Sequence, residues 1–317
     1  MKILRIVLLV LVVLVVAAWL WLRGPDIPYA DLEAKYSGPG SGFVDLPGDI
    51  HLHYVADGDS SKPVVLLLHG FGDSFTTWEG WTPLLAKDHR VLRIDLPGHG
   101  LTRAPEGYHA SAPGDVEVVE AFAAAQKLDK FALAGNSMGG GIAWLYAIAH
   151  PERLSALVLV DAAGWPLPPS KDLPIAFKLL KYSAGRWFLT HIDNTPLIRE
   201  GLRKDVYDPA KITDAFVARW AEFQRAPGHR AILMSGDFSA LGTASDEKLA
   251  AIHVPTLVLH GEADGLIPLE SGKKFAAAIP GAKLITYPDA GHLPQVEVPA
   301  RSAADVIAFI DAAGTTH

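Results

Sequence analysis

Short, mainly apolar runs recur along the chain at Val64–Leu68, Val91–Ile94, Phe131–Ala134, Ala156–Val160, Thr256–His260 and Leu284–Tyr287. Runs this short and this apolar predict strands buried on both faces. Phe43–Leu46 and Ile50–Val55, joined by Pro47-Gly48-Asp49, predict an earlier pair of strands linked by a hairpin-type turn. Between the apolar runs lie segments of helical spacing, such as Glu117–Leu128 and the stretch up to Ala149. Strands alternating with helices predict an α/β fold whose sheet is mostly parallel and covered by helices on both faces. The alternation stops between Trp165 and about Ser245, where helical pieces at Ile175–Tyr182, Leu197–Lys204, Ile212–Arg225 and Ala231–Met234 are punctuated by prolines. This stretch reads as a helical cap inserted between two strands and lying over their carboxyl ends.

The amino terminus follows a different pattern. No residue from Ile6 to Leu22 is charged, a length that suits a membrane-spanning helix. Lys2 and Arg5 precede the run, and Trp19 and Trp21 fall near its far end, so the amino end is expected inside. A signal peptide cut after Ala18 is the competing expectation. Either way the rest of the chain belongs outside the cytoplasm, membrane-anchored or secreted. Gly24–Gly42, rich in Pro and Gly, reads as a tether. The expected organisation is therefore an anchor or signal segment (1–24), a linker (25–42), a first core part (43–164), the cap (165–245) and a second core part (246–317).

Bulk properties narrow the function classes. Of 317 residues, 50% are hydrophobic and 20% charged, which excludes a disordered chain. A formal net charge of −7 argues against nucleic acid as a partner. The absence of cysteine removes disulfides, thiolate metal sites and a cysteine nucleophile.

Candidate chemistry gathers where the apolar runs end. Gly135-Asn136-Ser137-Met138-Gly139 is G-x-S-x-G between a strand and a helix, a sharp turn that presents the serine hydroxyl at the edge of a sheet. A serine needs a base, and the base needs a group that fixes its tautomer. His292, on a loop after the last run, is the candidate base. Asp264, after Thr256–His260, is the candidate acid, with Asp161 as the alternative. An oxyanion hole requires two N–H donors, expected from Met138 and from Phe71 or its neighbour Gly72. His69, His99 and His260 are expected to tie turns together, and His51 and His53 to face solvent. Trp78 and Trp81 are expected in the core. The cap aromatics Trp165, Phe177, Trp187, Phe188, Phe216, Trp220 and Phe223 either line a pocket or bury the cap on the sheet. Arg186, Arg199 and Arg203 are expected to be solvated, although a cap cation would serve a carboxylate substrate.

HGFGDS (69–74), DLPGHG (95–100), GNSMGG (135–140), GEADGLIP (261–268) and AGHLPQVE (290–297) stand in an order and spacing that resembles the α/β-hydrolase superfamily, over roughly Phe43 to Ile310. The resemblance implies an eight-stranded mostly parallel sheet, a helical lid after the sixth strand, and a triad of Ser137, Asp264 and His292. A serine at the nucleophile position argues against the epoxide hydrolases and haloalkane dehalogenases of this fold, which carry aspartate. GNSMGG is also similar to the carbon–carbon hydrolases of ring-fission dienoates, which typically carry Gly-Pro-Gly where this chain has HGFGDS. The expected activity is a serine esterase or lipase on lipophilic or aromatic small-molecule esters, needing no cofactor and no metal. The rivals are a carbon–carbon hydrolase, another acyl hydrolase (lactonase, amidase or perhydrolase) on the same triad, or a non-enzymatic binder.

Overall fold

The computed structural model describes residues 2–166 and 174–314. Its strands are β1 (Ser41–Leu46), β2 (Ile50–Asp57), β3 (Val64–Leu68), β4 (Arg90–Ile94), β5 (Phe131–Asn136), β6 (Leu154–Val160), β7 (Thr256–Gly261) and β8 (Lys283–Tyr287). They form one sheet in the order β1-β2-β4-β3-β5-β6-β7-β8. The β1–β2 and β2–β4 pairings are antiparallel and all the others are parallel. The expected fold class is the observed one, and each predicted strand is present to within a few residues at its ends.

Two cores explain why the central strands read as unbroken apolar runs. Alternate residues of a strand point to opposite faces. Leu66 and Leu68 of β3 pack with Leu133, Phe122 and Ile142 under the helices Ala112–Ala125 and Met138–Ala149. Val65 and Leu67 pack with Trp78, Trp81 and the helix Pro299–Gly314 on the other face. Trp78 and Trp81 are wholly buried, as the sequence predicts, and Trp81 Nε1 donates to Ser302 Oγ at 2.8 Å. The carboxyl ends of β3, β4, β5, β6 and β7 lead into the loops that carry His69, Asp95, Ser137, Asp161 and Asp264. Parallel strands bring the candidate chemistry to one edge of the sheet.

The cap lies between β6 and β7. Its helices are Ile175–Leu180, Ser183–His191, Thr195–Asp205, Asp214–Gln224 and His229–Ser235. The second of these was not expected from the sequence. Its first turn, Ser183-Ala184-Gly185, is weak in helix propensity. Gly185 is nonetheless required there, because a Cβ would come within 2.2 Å of the Leu179 carbonyl oxygen.

Two expectations are corrected. Gly24–Gly42 is no free tether. It contains a helix, Tyr29–Tyr36, whose Leu32 is buried among Val55, Phe75, Leu101 and Phe223. Ile27 N–H donates to Arg225 O at 2.7 Å, and Lys35 pairs with Glu222 at 2.7 Å, so the segment is strapped to the cap. The second correction concerns His53, expected to face solvent. It is wholly buried, with Nδ1 at 2.8 Å from Asp95 Oδ2 and Nε2 at 2.6 Å from Ser41 Oγ. The strap covers this edge of the sheet, and Asp95 supplies a hydrogen-bond acceptor for the buried imidazole.

Lys2–Leu22 forms one helix, and Ile3–Leu22 is long and apolar enough to cross a membrane, with a mean hydropathy of 3.1 and none of it buried. Its end is fixed to the cap. Asp193 N–H donates to Leu22 O at 2.8 Å, Gly24 N–H to His191 O at 3.2 Å, and Trp19 stacks on Trp187 with ring centroids 5.6 Å apart.

Replacing Leu32 with alanine should cost about 2–5 kcal/mol through the cavity it leaves. Urea unfolding would show the loss, and limited proteolysis should move to residues 24–40 as the strap lifts.

Candidate active site

The turn after β5 is set by its glycines. Ser137 has φ 53° and ψ −115°, a left-handed conformation that costs a serine on the order of 1–3 kcal/mol. A Cβ on Gly135 would lie 2.2 Å from Gly139 O, and one on Gly139 would lie 2.4 Å from Leu68 O. Hydrogen bonds hold the strained turn: Ser137 N–H donates to Val160 O, and Ser137 O accepts from Gly141 and Ala163, each at 3.0 Å. Met138 begins the following helix, so its N–H opens at the helix amino end beside Ser137. Phe71 lies on the loop after β3 and lines the same cavity as Ser137; its N–H has no acceptor among the described residues.

His292 sits on the loop after β8. Its Nδ1 lies 2.7 Å from Asp264 Oδ2, while Asp264 Oδ1 accepts from Leu266 N–H at 2.7 Å and Ile267 N–H at 2.9 Å. Burial opposes the charge on both groups. For Asp264, the His292 charge and hydrogen bond outweigh burial and lower its pKa. For His292, burial is outweighed by Asp264, aided by Asp205 and Glu297, and its pKa is raised above the ordinary 6.5. Ser137 and His292 face one cavity, with no hydrogen bond between them in this structure.

Asp161, the alternative acid, has φ 44° and accepts from Gly261 N–H at 3.0 Å. Burial and the nearby Asp264 charge hold its carboxyl well above the ordinary value, so it is poorly suited to stabilising an imidazolium. Among the described residues, donor atoms of Asp161, Asp264 and His292 lie within 4.8 Å of one another, a spacing a metal ion would accept. His69 braces a turn, with Nδ1 2.8 Å from Gly70 O and Nε2 accepting from Leu96 N–H at 3.0 Å. His99 contacts Pro97 O and His260 contacts Ile267 O.

The cap forms the roof of the cavity. Phe177 and Trp220 line it together with Ser137, and Trp165 lines an adjoining chamber that also reaches Ser137. Trp187 and Phe216 do not line the Ser137 cavity. Trp187 lines an outer vestibule that Phe71 also borders, is 56% exposed and stacks on Trp19 of the apolar amino-terminal helix. Phe216 packs against Trp220 in a cluster with Leu202, Val217 and Leu293, so it supports the roof without lining it. Of the cap arginines, Arg186 lines an outer vestibule, Arg199 pairs with Asp214 and Arg203 is exposed.

Sequence reasoning missed the helix Thr195–Asp205 as a wall. Asn194, Leu197, Ile198, Gly201, Leu202 and Asp205 all face the cavity. Their spacing of three and four along the chain is one helical stripe, a signal present in the sequence. Asp205 O accepts from His292 N–H at 2.7 Å. Glu297 joins the same two parts, since its Oε1 accepts from Gly291 N–H at 2.8 Å and its Oε2 from Tyr207 N–H at 2.7 Å.

Residues 65–305 match the Alpha/beta hydrolase family. The chain belongs to that family. It is 30% identical over 268 residues to the 2-hydroxy-6-oxo-2,4-heptadienoate hydrolase of Pseudomonas putida, covering 81% of this chain and 91% of that one. It is 26% identical to the monoacylglycerol lipase abhd6-B of Xenopus laevis, covering 94% of this hydrolase and 86% of the relative. Among solved structures, a bacterial membrane phospholipase A superposes with a TM-score of 0.71 at 26% identity, covering 99% of each chain. Relatives of this α/β-hydrolase thus include both carbon–carbon hydrolases and lipases.

An NMR titration of His292 should give a pKa above 6.5, and Asp264→Asn should bring it down. The sign for stability follows. The raised His292 stabilises the fold below about pH 6.5, and that contribution is lost as pH climbs through its folded pKa. The lowered Asp264 stabilises it above about pH 4, a contribution lost as pH falls through its folded pKa.

Proposed function

We propose that this α/β-hydrolase is a serine esterase or lipase that cleaves carboxylic esters with lipophilic or aromatic acyl groups through an acyl-enzyme. The single observation that carries the reading is the make-up of the cavity holding Ser137 and His292. Leu180, Leu189, Leu197, Ile198, Leu202 and Phe177 line it; among the described residues no Lys or Arg does, and Asp205 is the one carboxylate that does. A dienoate carries its own carboxylate, which would need a cationic partner on entering an apolar chamber. A neutral ester needs none.

In the proposed reaction Ser137 Oγ attacks the ester carbonyl carbon as His292 takes its proton. The N–H groups of Phe71 and Met138 hold the oxyanion. Asp264 keeps the His292 proton on Nδ1 and balances the imidazolium. His292 then protonates the alcohol oxygen, the ester C–O bond breaks, and an acyl-serine remains. A water that gives its proton to His292 attacks the acyl carbon, and Ser137 leaves with its hydroxyl restored. The apolar helix Ile3–Leu22 is read as a membrane anchor, with Lys2 and Arg5 inside and the catalytic domain outside the cytoplasm.

The likeness to the P. putida hydrolase favours a second reading, a carbon–carbon hydrolase working with the same serine and histidine. Purified full-length protein in detergent should turn over p-nitrophenyl octanoate with a kcat/KM far above that for a ring-fission dienoate. The opposite order would install the second reading. Ser137→Ala should abolish turnover and labelling by a fluorophosphonate while the thermal melt stays cooperative. Asp264→Asn should lower kcat by about 10⁴-fold through the wrong histidine tautomer.

A further inference from the structure

Asp205 occupies an unusual position. It ends the cap helix Thr195–Asp205, is 7% exposed, and lines the cavity that holds Ser137 and His292. Its Oδ1 is buried and accepts no hydrogen bond from any described residue. Burial raises its carboxyl to about 6, with the His292 charge pulling it down, so at neutral pH it is mostly a carboxylate. A buried carboxylate oxygen without a donor is destabilising, so a donor supplied from the cavity would be favoured.

The geometry also says which part of a substrate meets it. Asp205 O is bonded to His292 N–H, so the residue stands on the histidine side of the site. His292 is the group that hands a proton to the departing alcohol in the reaction proposed above, so the alcohol portion of an ester lies on that side. From there the stripe Leu202, Ile198 and Leu197 runs toward Asn194 at the other end of the helix, about 16 Å away at 1.5 Å per residue. That apolar wall suits an acyl chain. This wall therefore carries the Asp205 carboxylate beside the histidine, an aliphatic stripe in the middle and a second buried acceptor, Asn194 Oδ1, at the far end.

We infer that the Asp205 carboxylate is a specificity site that accepts a hydrogen bond from a free hydroxyl on the alcohol part of the substrate, so that the preferred esters are partial esters of a polyol. This rests on the ester-hydrolase reading. A plain alkyl ester leaves the carboxylate without a donor, and a second carboxylate in the substrate is repelled. Asp205 takes no proton in this role and does not act on the reacting carbon.

Glyceryl monooctanoate, propyl octanoate and octanoylcholine share one acyl group and separate the possibilities when assayed with the full-length protein. Wild type should favour the glyceryl ester over the propyl ester by on the order of 10- to 100-fold in kcat/KM. In Asp205→Leu that ratio should fall to near one, and Asp205→Asn, which keeps an acceptor, should hold an intermediate ratio. Asp205→Asn also guards against a leucine variant that fails to fold. A glyceryl-to-propyl ratio near one in wild type would overturn the inference while leaving the ester reading intact. So would a variant that lowers both esters together at constant ratio, which is what a role confined to positioning His292 predicts. Preference for octanoylcholine over both would make Asp205 an ammonium site and overturn the hydroxyl assignment. Failure to cleave any of the three would remove the ester reading and this inference with it.

Discussion

Backbone meets backbone at the carboxyl edge of the sheet more closely than side chains allow, and the candidate site depends on that closeness. Gly139 lies under Leu68 O, and Gly135 lies under Gly139 O. A Cβ on Gly261 would lie 2.0 Å from Gly291 O, and one on Gly291 would lie 2.4 Å from Asp205 O. The contacts form two short stacks. One joins the strand before the serine to the loop carrying Phe71. The other joins the strand before Asp264 to the histidine loop and then to the cap. Each stack fixes the separation of residues far apart in sequence, which side-chain packing alone would leave adjustable.

Electrostatics follows from that arrangement. Asp161, Asp205, Asp264 and Glu297 all stand close to one imidazole, and no four carboxylates can all be ionised cheaply in an apolar setting. The site resolves this by unequal solvation. Asp264 has His292 and two backbone N–H donors and stays charged. Asp161 has one N–H donor and is pushed toward its neutral form. Glu297 is surrounded by backbone donors, although burial still raises it. Asp161 Oδ2 and Asp205 Oδ1 are each buried without a donor, but only Asp205 also lines the cavity that holds Ser137 and His292.

The sheet was legible in the sequence because strands covered on both faces write themselves as apolar runs. Ser137, Asp264 and His292 were legible because each follows such a run. The cap was legible as helices but not as a surface. Helical spacing says which residues share a face and does not say what that face meets. Trp187 and Phe216 look as suited to the Ser137 cavity as Phe177 and Trp220, yet Trp187 lines only the outer vestibule and Phe216 packs behind Trp220. Asp205 hid in Leu-Arg-Lys-Asp, where an acid beside two bases reads as a solvated helix end. His53 hid for a related reason: Asp95, its partner, lies forty-two positions along the chain. The Tyr29–Tyr36 strap was masked by prolines and glycines on either side.

The two oxygens of Glu297 grip different bodies, one the histidine loop and the other the first residues after the cap helix Thr195–Asp205. Through that clasp this margin of the roof and the loop carrying His292 are joined, so a shift of one would carry the other with it. The opposite margin, Ile175–His191, is tied instead to the amino-terminal helix, through His191 O and through Trp187 stacked on Trp19. The roof is thus held at two margins, one to the loop carrying His292 and the other to the apolar amino-terminal helix.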